Sequence, residues 1–243
     1  MLKMIRAEHI KSRHTFGKHL PVIFPIFTLL LVYCLMRGNM MPEGTWNWWY
    51  AMLLPGMLAI LCHIGMKKEK KMHYFNSFCL SIPVSKYLMG KIIYWGFCLL
   101  FANFLIFIGA WIVGDLFGTT ISVVGGLWGF VVLTITYLWE IPLYMLLSSR
   151  FGMFASIFSC MVLTIGSVVA IAHSKLWWVF PSAIPIRLMC PILGVMPNGL
   201  LAPEGSKLLD MSVIFPGILI SLAWFALMSY FAILWFKRKV AKG

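Results

Sequence analysis

The chain runs to 243 residues, of which 61% are hydrophobic and 11% charged, against roughly 45–50% and 25% in soluble domains. A mean hydropathy of +0.91 over the whole length excludes a water-soluble globule. Seven acids against twenty Lys and Arg give a formal charge of +13, which in so apolar a chain reads as membrane topology and not as nucleic-acid binding.

Residues 1–18 carry Lys3, Arg6, Lys11, Arg13 and Lys18, with Met1, Leu2, Ile5 and Phe16 on one side of a helical wheel. This predicts an interfacial helix lying on the inner leaflet. A bilayer core of about 30 Å takes roughly 20 helical residues per crossing. Apolar runs of that order lie at 19–36, 47–66, 92–114, 122–147, 152–172 and 213–236. They predict an all-α polytopic membrane protein of six transmembrane helices, one domain over 1–243. No cleavable signal peptide is expected, because the first run lacks a small-residue cleavage site. With the N-terminus inside, sixteen of the twenty basic residues fall on inner segments, and only Arg37, Lys175, Arg187 and Lys207 lie outside. Both termini are therefore expected to be cytoplasmic.

The connections differ in kind. The inner segment 67–91 opens with Lys67-Lys68-Glu69-Lys70-Lys71. Residues Met72 to Ser81 are expected to follow as a short amphipathic helix, with Phe75, Phe78, Cys79 and Ile82 on one side. Pro83 is expected to stop it and Ser85 to cap the third span. This is either a basic loop resting on the membrane or a docking helix fused to a span. Runs four and five meet in a tight inner turn around Ser148, Ser149, Arg150 and Gly152. The outer segment 173–212 holds Pro181, Pro185, Pro191, Pro197 and Pro203, yet is rich in Trp, Ile, Leu and Met. It predicts short helices dipping into the outer interface. Of the cysteines only Cys190 looks outward, so no disulfide framework is indicated.

The chain has no GxxxxGK[ST] loop for ATP, no HExxH and no GxSxG. His9, His14 and His19 are spaced by five, which turns each about 140° from the last, so no metal site is predicted. Glu140, in Leu138-Trp139-Glu140-Ile141-Pro142, is an ionisable group at membrane depth. A central acid costs about 2.5–3.5 kcal/mol on insertion scales and marks a function as readily as a tolerated boundary. Pro142 is expected to free the carbonyl of Leu138 for polar contacts. Trp46, Trp48, Trp49 and Tyr50 begin the second run, and Trp177, Trp178 and Phe180 the long outer segment. Such residues anchor at headgroup depth by default.

The inner segment resembles the coupling region of ABC-2-type exporter permeases: Glu69, the short helix, Leu80-Ser81-Ile82-Pro83-Val84, then Gly90-Lys91 opening the third span. Trp46-Asn47-Trp48-Trp49-Tyr50 with Leu54-Pro55-Gly56 resembles the lantibiotic self-protection permeases of the epidermin and mutacin immunity type. Length, span number and the long outer loop agree over essentially the whole chain. The resemblance implies a permease subunit of the bacterial cytoplasmic membrane, paired with the same or a second permease. A separate ABC ATPase dimer would hold ATP and magnesium, leaving no cofactor and no catalysis to this chain.

Coupling is then implied at Glu69, Phe75, Phe78, Leu80, Ile82 and Pro83. The implied substrate is a lantibiotic or similar cationic antimicrobial peptide, expelled from the membrane. Trp46, Trp48, Trp49, Glu140, Trp177 and Trp178 become the substrate or gating candidates, the aromatics as a flat wall whose faces meet the peptide's lysines. The outer acids Glu43, Asp115, Glu204 and Asp210 match the outer bases in number, so that surface does not repel a cation. Bacitracin-like drugs or other hydrophobic substrates are the alternative. A secondary transporter is the rival class; it would want paired broken helices and several midplane charges, where this chain offers Glu140 and His63.

Overall fold

The computed structural model describes residues 1–13, 15–36, 38–71, 82–118, 121–172, 174–203 and 205–240. In lipid each backbone N–H and C=O must find a partner within the protein, which makes helix the state of an apolar run. The described residues follow suit. Apart from one isolated bridge, Val195 to Leu201, their regular elements are all helical.

Nine helices organise the described residues. α1 (Leu2–Ser12) ends at Arg13, and one 3-10 turn at Phe16–Lys18 leads into α2 (Leu20–Leu35). α3 (Met41–Lys71) starts with Pro42 in its first turn, passes through a π segment at Trp49–Leu53 and continues to the lysine run. α4 (Val84–Phe117) spans 34 residues, about 51 Å of helix. α5 (Val123–Tyr137) is capped by Ser122, whose hydroxyl accepts from the Gly125 amide at 3.0 Å. α6 (Glu140–Phe151) follows at a bend of 41°. α7 (Met153–Ile171) ends in a second π segment at Ser167–Ile171. α8 (Ala183–Leu193) lies within the long segment before α9 (Ile214–Val240).

α3, α4, α7 and the helix containing α9 are long and apolar enough to cross a membrane, and α5 with α6 makes a fifth crossing if the bent pair is one span. The chain is a multi-pass helical membrane protein. The run at 19–36 yields a helix of only 16 residues, because Met36 turns extended (φ −121°, ψ 143°). At 1.5 Å per residue α2 covers about 24 Å, short of a bilayer core.

α3 is the central helix: 56% of its most apolar window is buried in the protein, against 11% for α9. It packs on α6 and α7, while α4 packs on α1, α2 and α5. Apolar side chains such as Leu30, Phe101, Trp111, Phe154 and Phe158 remain exposed around the outside, the surface a lipid-facing bundle presents.

Three local expectations change. Pro83 is itself the residue capping α4, with Ser85 already inside the helix and making no capping bond. The α6–α7 turn narrows to one residue, Gly152 (φ 89°, ψ −168°), a conformation that is essentially glycine-only. The Leu138 carbonyl does not stay free, because the Ile141 amide donates to it at 3.3 Å. Pro142 costs α6 little, since it sits in the first turn, where amides lack intrahelical partners anyway. The long segment before α9 does hold a short helix, α8. Ten of its eleven residues, Arg187 among them, are buried, and it packs chiefly on α5.

Candidate functional site

The densest chemistry lies where α1 meets the end of α3 and the start of α4. Lys91 Nζ donates to Glu8 Oε2 at 2.6 Å and to Glu69 Oε1 at 2.9 Å. Lys11 Nζ donates to Glu8 Oε1 at 3.0 Å, to Glu69 Oε1 at 3.2 Å and to the Tyr87 hydroxyl at 3.0 Å. Two carboxylates and two ammonium groups thus form a closed, formally neutral cluster. Neutrality is what permits the burial: Lys91 is 1% exposed, Glu69 2% and Glu8 6%. An unpaired charge there would carry a desolvation cost of several kcal/mol. The Tyr87 ring lies 4.9 Å from Lys11 Nζ and 5.2 Å from Lys91 Nζ, and the Trp95 ring 5.9 Å from Lys91. Burial draws the Lys11 ammonium down, and the Glu8 and Glu69 carboxylates more than reverse it, so its pKa ends above the usual lysine value.

Close approach makes the cluster possible. A Cβ on Gly90 would stand 2.7 Å from the Met4 Cβ, so α1 rests directly on the α4 backbone there. Ser12 Oγ and the Tyr94 hydroxyl add a hydrogen bond at 2.5 Å, and Lys68 Nζ donates to the Lys11 carbonyl at 3.1 Å. The docked face of α1 is mixed: Met4, Ile5 and Ala7 are half-buried beside the buried Glu8, while Lys3, Arg6 and His9 are exposed. Leu2 and Ile10 remain exposed, as does Phe16 in the turn beyond.

Among the coupling candidates, Glu69 is an interior residue of this junction, Ile82 is half-buried and Pro83 is exposed. Phe75, Phe78 and Leu80 lie outside the described residues. Glu69 and Lys91, three residues before position 72 and ten after position 81, are bonded to each other.

The second concentration of candidates lies around the π segment of α3. The aromatics do not form one flat wall. Trp46, Trp49 and Tyr50 are buried at 0–1% exposure, Trp177 is buried at 5%, and Trp48 and Trp178 are half-buried. The Trp49 indole donates to Asn103 Oδ1 at 2.8 Å, and Asn103 donates to Thr134 Oγ1 at 3.0 Å, joining α3, α4 and α5 by polar contacts in mid-bundle. The Tyr137 hydroxyl donates to the Tyr50 carbonyl, inside the π segment, at 2.5 Å. Trp177 and Trp178 stack at 3.7 Å, and the Arg187 guanidinium lies 5.7 Å from Trp177 while donating to the Lys207 and Leu208 carbonyls.

Trp48 faces a groove of about 380 Å³ between α3 and α7. Met52, Leu53, Ile157, Met161 and Val168 line it, with Asn47 and Thr164 as its few polar groups. Both π segments of the chain, Trp49–Leu53 and Ser167–Ile171, border this groove, and such segments often sit at functional sites. Glu140 begins α6 behind it. It is 1% exposed, and its Oε2 has no hydrogen-bond partner among the described residues. Cys160, which lines the groove, and Cys62 of α3 lie within electrostatic reach of Glu140. Glu140 therefore faces neither lipid nor a lysine; the ion pairs among the described residues involve Glu8, Lys11, Glu69 and Lys91 alone. Glu43 is also interior, at 2% exposure with neither carboxylate oxygen bonded among the described residues, so it is not an open charge of the outer surface.

Sequence reading missed Glu8, Lys11 and Tyr87 as partners of Glu69, and Asn103 as the mid-bundle link. One signal was present: Glu8 and Glu69 are the two acids among the sixteen bases of the inner segments. No family model, curated protein or solved structure matches the chain.

Proposed function

We propose that the chain is the permease subunit of an ATP-driven exporter that expels lantibiotic-like cationic peptides from the bacterial cytoplasmic membrane. The supporting observation is the buried neutral junction of Glu8, Lys11, Glu69 and Lys91. It ties the two flanks of residues 72–81 to each other and to α1. Force applied to that segment would reach α1, α3 and α4 together. Phe75 and Phe78 would anchor a separate ATPase dimer, which supplies ATP and magnesium; buried aromatics are common interface anchors. Both termini would be cytoplasmic, with α2, lengthened by the 3-10 turn at Phe16–Lys18 that precedes it, and the α5–α6 pair completing six crossings. A second permease, like or unlike this one, would complete the pathway.

The mechanism follows from the residues at hand. ATP-driven closure of the partner shifts segment 72–81, and the junction transmits the shift to α3, whose π segment borders the groove. An amphipathic peptide would lay its apolar side along Met52, Leu53 and Ile157, with the Trp48 face available to its lysines. The test is Phe78→Asp at wild-type membrane abundance. Loss of peptide protection together with loss of ATPase association is expected; full protection with normal ATPase association would overturn the docking assignment.

A hydrophobic, bacitracin-like drug is the second reading, favoured by the scarcity of polar groups in the groove. Trp48→Ala and Trp178→Ala at matched abundance separate the two. Selective loss toward cationic peptides supports the first, and equal loss for a neutral hydrophobic drug supports the second.

A further inference from the structure

A second cleft, of about 420 Å³, opens between the last turns of α6 and α9. Leu147, Phe231, Leu234 and Trp235 form its apolar wall, and Arg150 and Arg238 line it as exposed charges. Both arginines stand in the final turn of their helices. His63 Nδ1 and Ser148 Oγ, 2.8 Å apart, place the end of α6 beside the charged half of α3. The cleft is thus a greasy slot whose cations lie at one end of the bundle.

Its charge contrasts with that of the α1 junction, where every ammonium meets a carboxylate. Neither Arg150 nor Arg238 has an ion-pair partner among the described residues. Arg150 lies with its guanidinium 5.0 Å from the Phe151 ring, a contact that orients the fork without neutralising it. A guanidinium matches phosphate oxygens two at a time. From Leu143 to Arg150, both lining the cleft, α6 rises about 10 Å, enough to lay the upper part of an acyl chain against the wall. Trp235, in the same wall, is a residue type that favours headgroup depth.

We propose that this cleft binds one anionic phospholipid, its phosphate held between Arg150 and Arg238 and one acyl chain against Leu147, Phe231, Leu234 and Trp235. The bound lipid would brace α9, the least buried of the long helices, against α6. This rests on the chain being a multi-pass membrane protein and is independent of what it transports.

Native mass spectrometry of the full chain from detergent, offered phosphatidylglycerol or phosphatidylcholine of equal chain length, tests it. One phosphatidylglycerol is expected to stay bound, preferred about tenfold or more over phosphatidylcholine, given roughly 1 kcal/mol for each basic residue near anionic lipid. The R150Q/R238Q variant should lose that preference while its thermal stability in lipid-free detergent stays unchanged, and R150K/R238K should keep a weakened one. K237Q/K239Q, altering exposed charges in the same turn but outside the cleft lining, should keep it fully. Inorganic phosphate at millimolar concentration should leave the lipid in place. The proposal is overturned if R150Q/R238Q retains the lipid as the native chain does. It is equally overturned if K237Q/K239Q loses it to the same extent, which would mean diffuse attraction. Displacement by phosphate alone, or a second copy of the chain cross-linked into the cleft, would also overturn it.

Discussion

Lys91 is buried because it is met from two sides, by Glu8 on α1 and Glu69 on α3. Replacing it by Met would leave two buried carboxylates sharing Lys11 alone. Removing one partner of such a pair typically costs about 3–5 kcal/mol. Lys91→Met is therefore expected to lower unfolding stability in detergent by about 3 kcal/mol, and exchanging Glu69 with Lys91 should not recover it, because the new acid would meet Glu8 and the new base Lys11. A cost under about 1 kcal/mol would show that the junction does not hold α1 in place. The same burial makes Glu69→Lys alone a fold-damaging change, unsuited to testing coupling. Lys11 adds a pH dependence. Its folded pKa is raised, so its contribution is complete below about pH 10.4 and fades as pH rises through the elevated value. Melting curves at increasing alkaline pH should show a smaller loss for Lys11→Met than for the native chain. Glu140 has an oxygen without a partner, so Glu140→Gln should stay within about 1 kcal/mol of the native stability, while Glu140→Ala, which also opens a cavity, should cost about 2. Native stability and protection in Glu140→Ala would reduce it to a tolerated residue.

At the scale of elements, α8 is held by a direct backbone approach. A Cβ on Gly125 of α5 would stand 2.8 Å from the Ile192 carbonyl oxygen, an atom fixed by its own helix. Gly125→Ala should cost about 1–3 kcal/mol and raise hydrogen exchange across 183–193. Gly166→Ala in α7 meets nothing within 4 Å and should be neutral or slightly stabilising. The long helices α3, α4, α7 and α9 are readable from the sequence, because apolar runs of that length have no other stable form in lipid. The shortness of α2 and the bend after Tyr137 are not, since hydropathy does not show where the backbone leaves the helical region. The split of the aromatics follows from periodicity: at about 100° per residue Trp46 and Trp49 lie about 60° apart, with Trp48 on the far side. The charged junction was hidden for another reason. Glu8 and Lys91 are 83 residues apart, and pairing at that distance depends on how three helices pack. The Glu69 and Lys91 positions were visible only as parts of a family-like order; that they touch each other belongs to the fold.

At the scale of the whole molecule, a central α3 connects the junction at one end to the groove bordered by its π segment. The permease proposed above would be driven through that layout from outside itself, and the sequence holds no GxxxxGK[ST] motif. The decisive measurement is isolation of the chain from its native membrane in mild detergent, with ATP hydrolysis assayed in the presence of cationic peptide. The expected result is a P-loop ATPase in stoichiometric amount and hydrolysis stimulated by the peptide, both lost in Phe78→Asp. A chain that isolates with no such ATPase, yet still confers peptide protection on the cells it came from, would contradict it.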